Sequence, residues 1–166
     1  MGDVRDISSK LVGRGPFDAI VNMFTSSGYY GRAADVALFQ KLGAMSSSRA
    51  VMVVQTVNLG WLGWHFEAEG MDSAGDLRVL QRRRLDLERS TMHSDWEFYE
   101  GSGSDLRLRL RLEMEHRVYT PEELRVLLKE AGWEFVQGLG SQRGGEIILA
   151  ELTPDMRDMW VVARWP

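Results

Sequence analysis

The sequence predicts an α/β protein in which a parallel strand–helix–strand unit is followed by an antiparallel meander, another helix and two further strands. Two observations support this prediction. Residues 17–21 (FDAIV) and 50–54 (AVMVV) are short apolar runs, typical of strands buried on both faces in the centre of a parallel sheet. From residue 77 onward, apolar side chains recur at every second position instead. That alternation is typical of antiparallel strands with one covered face and one solvent-facing side.

The segment between the two apolar runs is expected to be a helix over residues 33–42. Ala34, Leu38 and Leu42 lie at helical spacing in this segment. Gly43 is placed to end the helix, and residues 46–49 are expected to form the turn into the second strand. Because the two strands are joined through a helix, we expect them to be adjacent and parallel.

The alternating region predicts a three-stranded antiparallel meander formed by residues 77–87, 92–99 and 106–115. It lies within an insertion that spans residues 67–117. The third strand has the most regular pattern, with one apolar face: Leu106, Leu108, Leu110, Leu112 and Met114. We expect this face to be covered, either by the aromatic loop after the second strand or by another subunit.

The clearest local signal in the chain is the start of a helix at Thr120. Thr120 is expected to be the N-cap, Pro121 the first helical residue and Glu123 the partner that completes a capping box. Gly132 is expected to end the helix. Residues 133–136 and 158–165 should then form two strands that are antiparallel neighbours, and residues 146–152 form either a strand or an arm.

The composition is that of an ordinary globular protein of one domain. The 166 residues carry a formal net charge of −4, so the charge balance does not favour nucleic acid as a partner. No run approaches the ~20 apolar residues of a membrane span, and the first residues do not resemble a signal peptide. The absence of cysteine excludes disulfides and cysteine nucleophiles. We therefore expect a cytoplasmic protein that binds neither nucleic acid nor membrane.

Four stretches, in this order, resemble a known enzyme family. They are FDAIVNMFTSSGYY from residue 17, AVMVVQTVN from residue 50, RVYTPEELRVLLKEAGWEFV from residue 117 and MWVVARWP at the end. With the antiparallel insertion, they look like the carboxyl-terminal two-thirds of a class I S-adenosylmethionine-dependent methyltransferase, over nearly the whole chain. The resemblance implies a partial Rossmann-like sheet in a single truncated methyltransferase-like domain, residues 1–166.

The family's first three strands and its glycine-rich cofactor loop have no counterpart in this sequence. We therefore expect residues 17–21 to lie at an edge of the sheet. Three covers are possible for this edge: a second copy in a homodimer, a partner chain, or the rest of a longer protein of which this sequence is a fragment. For the same reason, binding of S-adenosylmethionine by this chain alone is expected to be weak or absent.

The resemblance also implies which residues contact the cofactor. Asp3 would contact the adenine amino group, and the backbone of Val4 would lie against the adenine ring. Asn22, Met23 and Phe24 match the loop beside the cofactor's methionine portion and the methyl acceptor. The alternative for Asp3 is an ordinary turn residue, and for Asn22–Phe24 a polar helix cap with core aromatics.

Four aromatic residues are candidates for the acceptor pocket: Tyr29, Tyr30, Trp61 and Trp64. Their rings could stack on a flat acceptor or on the sulfonium, although plain core or interface aromatics have the same pattern in sequence.

His65 and His116 are the candidates for a general base, which methyl transfer needs only when the acceptor must lose a proton. His116 continues the apolar face of the third meander strand, so its other interpretation is a hydrogen-bonded core histidine. The three histidines lack metal-ligand spacing, and we predict no metal.

The function expected from the resemblance is methyl transfer from S-adenosylmethionine to a small molecule, by the chain as an enzyme or as the acceptor-binding half of one. The alternative is a non-catalytic binding or dimerisation module derived from the same fold.

Overall fold

The computed structural model of the protein describes residues 6–101, 105–142 and 147–166, so the predicted cofactor contacts Asp3 and Val4 lie outside the described residues. The helices are α1 (Ile7–Lys10), α2 (Arg32–Ala44), α3 (Leu59–Trp64) and α4 (Pro121–Glu130). The strands are β1 (Phe17–Asn22), β2 (Ser46–Val57), β3 (Glu69–Ala74), β4 (Leu77–Asp86), β5 (Thr91–Glu100), β6 (Arg107–Arg117), β7 (Glu134–Ser141), β8 (Ala150–Glu151) and β9 (Asp158–Arg164).

The larger of two sheets has its strands in the order β1-β2-β9-β7-β8. β1 is parallel to β2, and β9 is antiparallel to both β2 and β7. These pairings confirm that the two early apolar runs are parallel neighbours and that the last strand lies antiparallel beside the strand that follows Trp133. The predicted α/β class, with a partly parallel sheet and an antiparallel addition, is confirmed.

β1 lies at the edge of this sheet, as the resemblance implied, but it is not buried on both faces. Asp18 and Ala19 are exposed, and the Val21 side chain is 70% exposed. Ile20 alone in the strand packs against the core cluster of the described residues. The prediction of a doubly buried strand is wrong because an apolar run indicates a strand without indicating how many of its sides are covered.

Two predicted boundaries near the second strand also differ from the structure. Residues 46–49 are part of β2, where Ser46 is opposite Phe17, rather than a turn. α2 continues through Gly43 to Ala44. A Cβ atom at position 43 would lie 2.1 Å from Cζ3 of Trp165. Glycine is therefore required there by the close approach of the tryptophan ring, and not by the end of the helix.

The start of α4 has the predicted capping box. The Thr120 hydroxyl accepts a hydrogen bond from the backbone N–H of Glu123 (3.2 Å), and the Glu123 carboxylate accepts one from the backbone N–H of Thr120 (2.8 Å). Pro121 is the first helical residue. This cap depends on residues three apart in the chain, which is why the sequence alone predicts it.

The core lies between the larger sheet and helices α2 and α4. Phe39 from α2, Leu127 from α4 and Val161 from β9 are fully buried members of one cluster. Trp133 lies between the helices and donates a hydrogen bond from its indole N–H to the carbonyl of Phe39 (2.9 Å). The last turn of α2 is thereby attached to the chain that leaves α4.

The smaller sheet is antiparallel and has four strands in the order β3-β4-β5-β6, not the three that were predicted. The additional strand is β3, whose sequence EGMDSA has no apolar alternation and whose residues are mostly exposed. Its pairing with β4 involves all six of its residues. The backbone hydrogen bonds between β3 and β4 therefore form although β3 lacks the apolar alternation by which a strand is recognised in sequence.

The leucine face of β6 is not covered within the chain. Leu106, Leu108, Leu110 and Leu112 are 40–48% exposed. The expectation that the aromatic segment after β2 covers them is therefore wrong, and covering by another subunit remains a prediction. Alternation along a strand indicates which residues share a face, but it does not supply the surface that packs against that face.

Replacing Leu127 with alanine should destabilise the protein by ~2–5 kcal/mol, because it removes a fully buried side chain from the core. Leu110→Ala is the matched control, and its half-exposed side chain should cost about 1 kcal/mol or less. Urea denaturation in dilute solution measures both changes. A loss for Leu110→Ala as large as that for Leu127→Ala would contradict the exposed leucine face.

Candidate functional site

The carboxyl ends of β1 and β2 lie beside a short loop that hydrogen bonds hold in place. The Asn22 side-chain oxygen at the end of β1 accepts hydrogen bonds from the hydroxyls of Ser26 (3.1 Å) and Ser27 (2.8 Å). Asn22 therefore closes the loop on itself. It does not cap a helix, because α2 begins at Arg32 with Gly31 as its N-cap.

Gln55 of β2 holds the same loop from the neighbouring strand. Its side-chain oxygen accepts a hydrogen bond from the backbone N–H of Phe24 (2.5 Å), and its backbone carbonyl accepts one from Thr25 (3.3 Å). Phe24 and Thr25 have φ angles of 59° and 55°, which L-residues adopt at a cost of ~1–2 kcal/mol each. Strained backbone of this kind is concentrated at functional sites. The Phe24 ring is 88% exposed and is therefore available to another molecule.

Gly28 joins this loop to the smaller sheet at a very close approach of two backbones. Its N–H donates to the Asp35 carboxylate (3.2 Å), and its carbonyl accepts from the backbone N–H of Arg117 (3.0 Å). The φ angle is +98°, and a Cβ atom here would lie 2.3 Å from the carbonyl oxygen of Arg117. Only glycine satisfies both conditions.

The Asp35 carboxyl, 3% exposed, lies beneath the Gly28 turn and is hydrogen-bonded on both oxygens. Its second oxygen accepts from the Tyr119 hydroxyl (2.6 Å). Burial raises the pKa of Asp35, and the hydrogen bonds from Tyr119 and Gly28 partly offset that effect. Burial and the bond to Asp35 also raise the pKa of the Tyr119 hydroxyl. Tyr119 therefore acts as a donor that supports the loop.

His116 holds the same loop from β6. Its Nε2 atom donates to the carbonyl of Ser27 (2.9 Å), and its ring stacks on Tyr29 with centroids 4.6 Å apart. Burial lowers the pKa of His116, and the hydrogen bond to Ser27 acts in the opposite direction. A buried, neutral imidazole with these contacts matches the predicted alternative of a hydrogen-bonded core histidine.

A pocket of about 370 Å³ opens above this network. Its lining comes from the loop before α2 and from the adjoining ends of β5 and β6: Gly28, Tyr29, Tyr30, Gly31, Arg32, Thr91, Glu115 and Arg117. Arg117 donates to Glu123 (2.9 Å), and its guanidinium lies 5.5 Å from the Tyr119 ring centroid. The Nε–H of Arg117 is buried and meets no acceptor among the described residues. The pocket therefore offers two tyrosine rings and the Glu115 carboxylate.

The other aromatic candidates lie on α3 and do not line this pocket. Trp61 stacks on His65 with ring centroids 4.4 Å apart, and His65 Nδ1 lies 2.9 Å from the Trp61 carbonyl. Arg157 lies over the outer face of the same cluster, 5.7 Å from the Trp61 ring centroid. The Trp64 side chain is 84% exposed. The structure thus brings Tyr29, Tyr30 and His116 together and leaves Trp61, Trp64 and His65 in a separate cluster.

No group of three or more His, Cys, Asp or Glu side chains suited to a metal ion occurs in residues 6–101, 105–142 and 147–166. Over the same residues, no helix has the length and apolar character needed to cross a bilayer.

Comparison with known proteins gives matches to solved structures. No family model matches the sequence, and no curated protein does. An S-adenosylmethionine-dependent methyltransferase from Clostridium acetobutylicum superposes with a TM-score of 0.73 over 99% of this chain, at 11% identity. The CcbJ methyltransferase from Streptomyces caelestis gives 0.69 over 92% at 15% identity. CalS10 from Micromonospora echinaspora, a SAM-bound amino pentose methyltransferase, gives 0.60 over 99% at 18% identity.

The chain has a partial class I methyltransferase fold. It spans 63% of the length of each of these three structures. At these identities the match shows the fold, and it agrees with the resemblance inferred from the order of the sequence elements.

In a methyltransferase fold, ligands bind at the carboxyl ends of the parallel strands, which is where the loop after β1 lies. Asn22 and Phe24 belong to this loop, and the Asn22 amide oxygen accepts hydrogen bonds from within it.

Several residues of the site were not predicted from the sequence. Asp35 has the sequence context of an ordinary acidic residue in the first turn of a helix, and Gln55 that of a strand residue. Arg117 belongs to the same alternation as the solvent-facing arginines before it. Asp35 bonds Tyr119, 84 residues away, and Gln55 bonds Phe24, 31 residues away. Arg117 bonds the distant Gly28 through its backbone, and no local pattern indicates such partners.

Replacing His116 with glutamine should make the stability of the protein less sensitive to acid. The folded-state pKa of His116 lies below its unfolded value of ~6.5, so the unfolded chain takes up the proton first. The stability contribution is therefore present above that pH and is lost as the pH falls through the folded-state pKa. Glutamine can still donate to Ser27. Urea titrations at about pH 7.5 and 5.5 should show a larger loss for wild type than for H116Q, and equal losses would contradict the buried neutral imidazole.

Gly28→Ala should destabilise the protein by at least ~1 kcal/mol more than Gly31→Ala. Both glycines have positive φ angles, of 98° and 80°, so the backbone strain is matched. A Cβ at position 31 meets nothing within 4 Å, whereas at position 28 it collides with the Arg117 carbonyl. Thermal or urea unfolding measures the difference, and equal costs would argue against the close approach of the loop to β6.

Proposed function

We propose that this chain is the acceptor-binding part of an S-adenosylmethionine-dependent methyltransferase that acts on a small molecule. The observation that supports this proposal is the placement of the tyrosine-lined pocket. The pocket adjoins the loop at the carboxyl ends of the parallel strands in a methyltransferase fold. Ser27 connects the two, because its hydroxyl bonds Asn22 and its carbonyl bonds His116.

The lining of the pocket suits a small polar acceptor with hydroxyl or amino groups. The rings of Tyr29 and Tyr30 offer flat apolar surfaces to such a ligand. Glu115 supplies a carboxylate on the same wall, which would attract an amino group. The amino pentose named for the CalS10 enzyme is an acceptor of this chemical class.

When bound, S-adenosylmethionine supplies an electrophilic methyl group. Asn22, Met23 and Phe24 would face its methionine portion, and Asp3 and Val4 remain proposed contacts to its adenine. This chain spans only part of the length of the methyltransferases that it matches. We therefore propose that its own affinity for the cofactor is weak and that a partner, either a second copy or another chain, completes the site.

The contribution of the chain to methyl transfer is alignment and exclusion of water, since an in-line displacement requires little else from side chains. Tyr29 is held in one orientation by its stack on His116, which is itself held by Ser27. His116 thus acts as a positioning residue. His65 is exposed and separate from the pocket, and the cluster that it forms with Trp61 and Trp64 remains a second candidate surface for the acceptor.

A non-catalytic binding or dimerisation module is the second candidate function. The exposed edge and leucine face of β6 favour it, because both suit protein association more than small-molecule chemistry. We propose a cytoplasmic location for either function, in line with a chain without cysteine.

Saturation-transfer NMR with an amino pentose should show binding to the wild-type chain. Tyr30→Ala should weaken this signal, because the ring is part of the pocket wall, and Trp64→Ala serves as the matched aromatic control on α3. If the saturation-transfer signal is lost in Trp64→Ala but retained in Tyr30→Ala, the acceptor binds at α3 and not in the tyrosine-lined pocket.

Calorimetry with S-adenosylmethionine separates the two candidate functions. Weak cofactor binding that strengthens in the presence of the amino pentose is expected for the acceptor-binding part of an enzyme. If neither small molecule binds, the methyltransferase proposal is contradicted. The non-catalytic binding or dimerisation module is then the remaining candidate function. Micromolar cofactor affinity for a monomer would contradict the need for a partner.

A further inference from the structure

β6 is the terminal strand of the smaller sheet, and its outer edge carries a regular charge pattern. Going along the strand, the solvent-facing side chains opposite the leucines are first basic and then acidic: Arg107, Arg109, Arg111, Glu113 and Glu115. They are well exposed; for example, the side chains of Arg111 and Glu115 are 67% and 70% exposed. A strand whose charge changes sign near its centre is complementary to an antiparallel copy of itself.

The direction of the free backbone groups can be read from Arg117. Its N–H donates to the carbonyl of Gly28, on the side of β6 away from β5. Backbone groups of successive residues in an antiparallel strand point alternately to the two sides. Arg111, Glu113 and Glu115 therefore direct their N–H and C=O groups outward. No strand of the part of the chain that the structure describes pairs with them.

We propose that β6 pairs antiparallel with β6 of a second copy, about a two-fold axis at Leu112. In this register Arg111 lies opposite Glu113 of the second copy, and the symmetry repeats the pair. Arg109 lies opposite Glu115 in the same way. The outward-pointing backbone groups then meet in hydrogen-bonded pairs, which an odd shift of register would prevent. The pairing joins two four-stranded sheets into one of eight strands.

The neighbouring even registers are disfavoured by charge. With the axis at Arg111, that arginine faces itself, and with the axis at Glu113, that glutamate faces itself. Like charges directly opposite each other destabilise a strand pair, whereas opposite charges stabilise it. Only the register centred on Leu112 gives opposite charges at both central pairs.

The ends of β6 limit the contact to residues 109–115. The Gly28 turn occupies the edge at Arg117. At the other end, the ladder with β5 is irregular between Phe98 and Tyr99, where Arg109 has no partner. Such a bulge bends the strand and terminates pairing. In the proposed dimer, the irregular end of one β6, near Arg109, therefore lies beside the end of the other β6 that the Gly28 turn occupies.

The leucine face gives the same axis an apolar contact. At the axis, Leu112 of one copy faces Leu112 of the other in a non-hydrogen-bonded pair, the closer of the two kinds. Leu110 lies opposite Met114 of the second copy. These leucines are 40–48% exposed in the single chain, so the pairing covers part of the surface that the chain leaves open.

Charge reversal at position 113 tests the interface without disturbing the fold. Asp95 lies directly opposite Glu113 within the chain, so Glu113→Arg exchanges a repulsive intrachain neighbour for an attractive one. Across the axis it places two pairs of arginines together. Sedimentation should show the dimer dissociation constant raised about tenfold or more, as two repulsive pairs predict. Glu88→Arg, the same change in the β4–β5 turn, should leave the constant unchanged.

Glu113→Gln, which removes the attraction without adding a repulsive charge, should raise the dissociation constant by less than Glu113→Arg does. Arg111 is left unchanged because it pairs with Glu97 within the chain (2.9 Å). A wild-type chain that stays monomeric at micromolar concentration, or an E113R variant that dimerises as well as wild type, would overturn the proposal.

Cysteine crosslinking tests the register independently, because the chain contains no cysteine. Two cysteines at a non-hydrogen-bonded pair have Cα atoms about 4.5 Å apart, within the range of a disulfide. Leu112→Cys should form a covalent dimer on mild oxidation. Leu110→Cys, equally exposed but placed away from the axis, should crosslink far more slowly. Crosslinking of L110C in preference to L112C, or of neither, would overturn the proposed axis. Because these experiments need neither cofactor nor acceptor, their outcome is independent of the methyltransferase proposal.

Discussion

The buried carboxyl of Asp35 is the interaction on which the arrangement of this fold depends. It lies in the first turn of α2, accepts from the Gly28 backbone and from the Tyr119 hydroxyl, and is 3% exposed. Those contacts join the loop after β1, the end of the smaller sheet and the segment that leads into α4. A buried carboxyl without partners would be very costly, whereas a fully hydrogen-bonded network is rigid and specifies one arrangement. Polar contacts therefore help to hold the two sheets together, and they involve Tyr119, a member of the main core cluster.

The candidate site follows from the same network. Because Gly28 approaches the backbone of Arg117 too closely for any side chain, the loop before α2 lies directly on β6. His116 bonds the loop from one side and supports the Tyr29 ring on the other. The pocket is formed where these elements meet. β6 consequently serves two surfaces: its last residues form a wall of the pocket, and its middle presents a free edge with a self-complementary charge pattern.

The predictions that were confirmed depend on short stretches of sequence. Thr120, Pro121 and Glu123 form their capping box within one turn of helix, so the residues alone suffice. β1 pairs with β2, and β9 with β7, as expected, because a strand–helix–strand order leaves few topologies. The pairing of β9 with β2 was not predicted. β3 was missed because its residues lack alternation, and the burial of β1 was overestimated because an edge strand and a central strand have the same composition. Gly43 was assigned to a helix end, although the ring of Trp165, distant in sequence, is what requires it.

The sequence by itself determined the α/β class, the pairing of β1 with β2 and of β9 with β7, and the capped start of α4. Periodicity, helix capping and the order of elements can be recognised from the sequence alone, because they do not depend on which residues pack against each element. Only the tertiary structure decided that His116 is a neutral support, that Asp35 and Arg117 belong to the site, and that Trp61 and Trp64 form a separate cluster. The physical reason is that burial and hydrogen bonding set these roles, and both depend on groups brought together from opposite ends of the chain. The same reason applies to the leucine face of β6. Its alternating pattern is visible in the sequence, but whether the face is buried depends on a second surface that the sequence does not indicate.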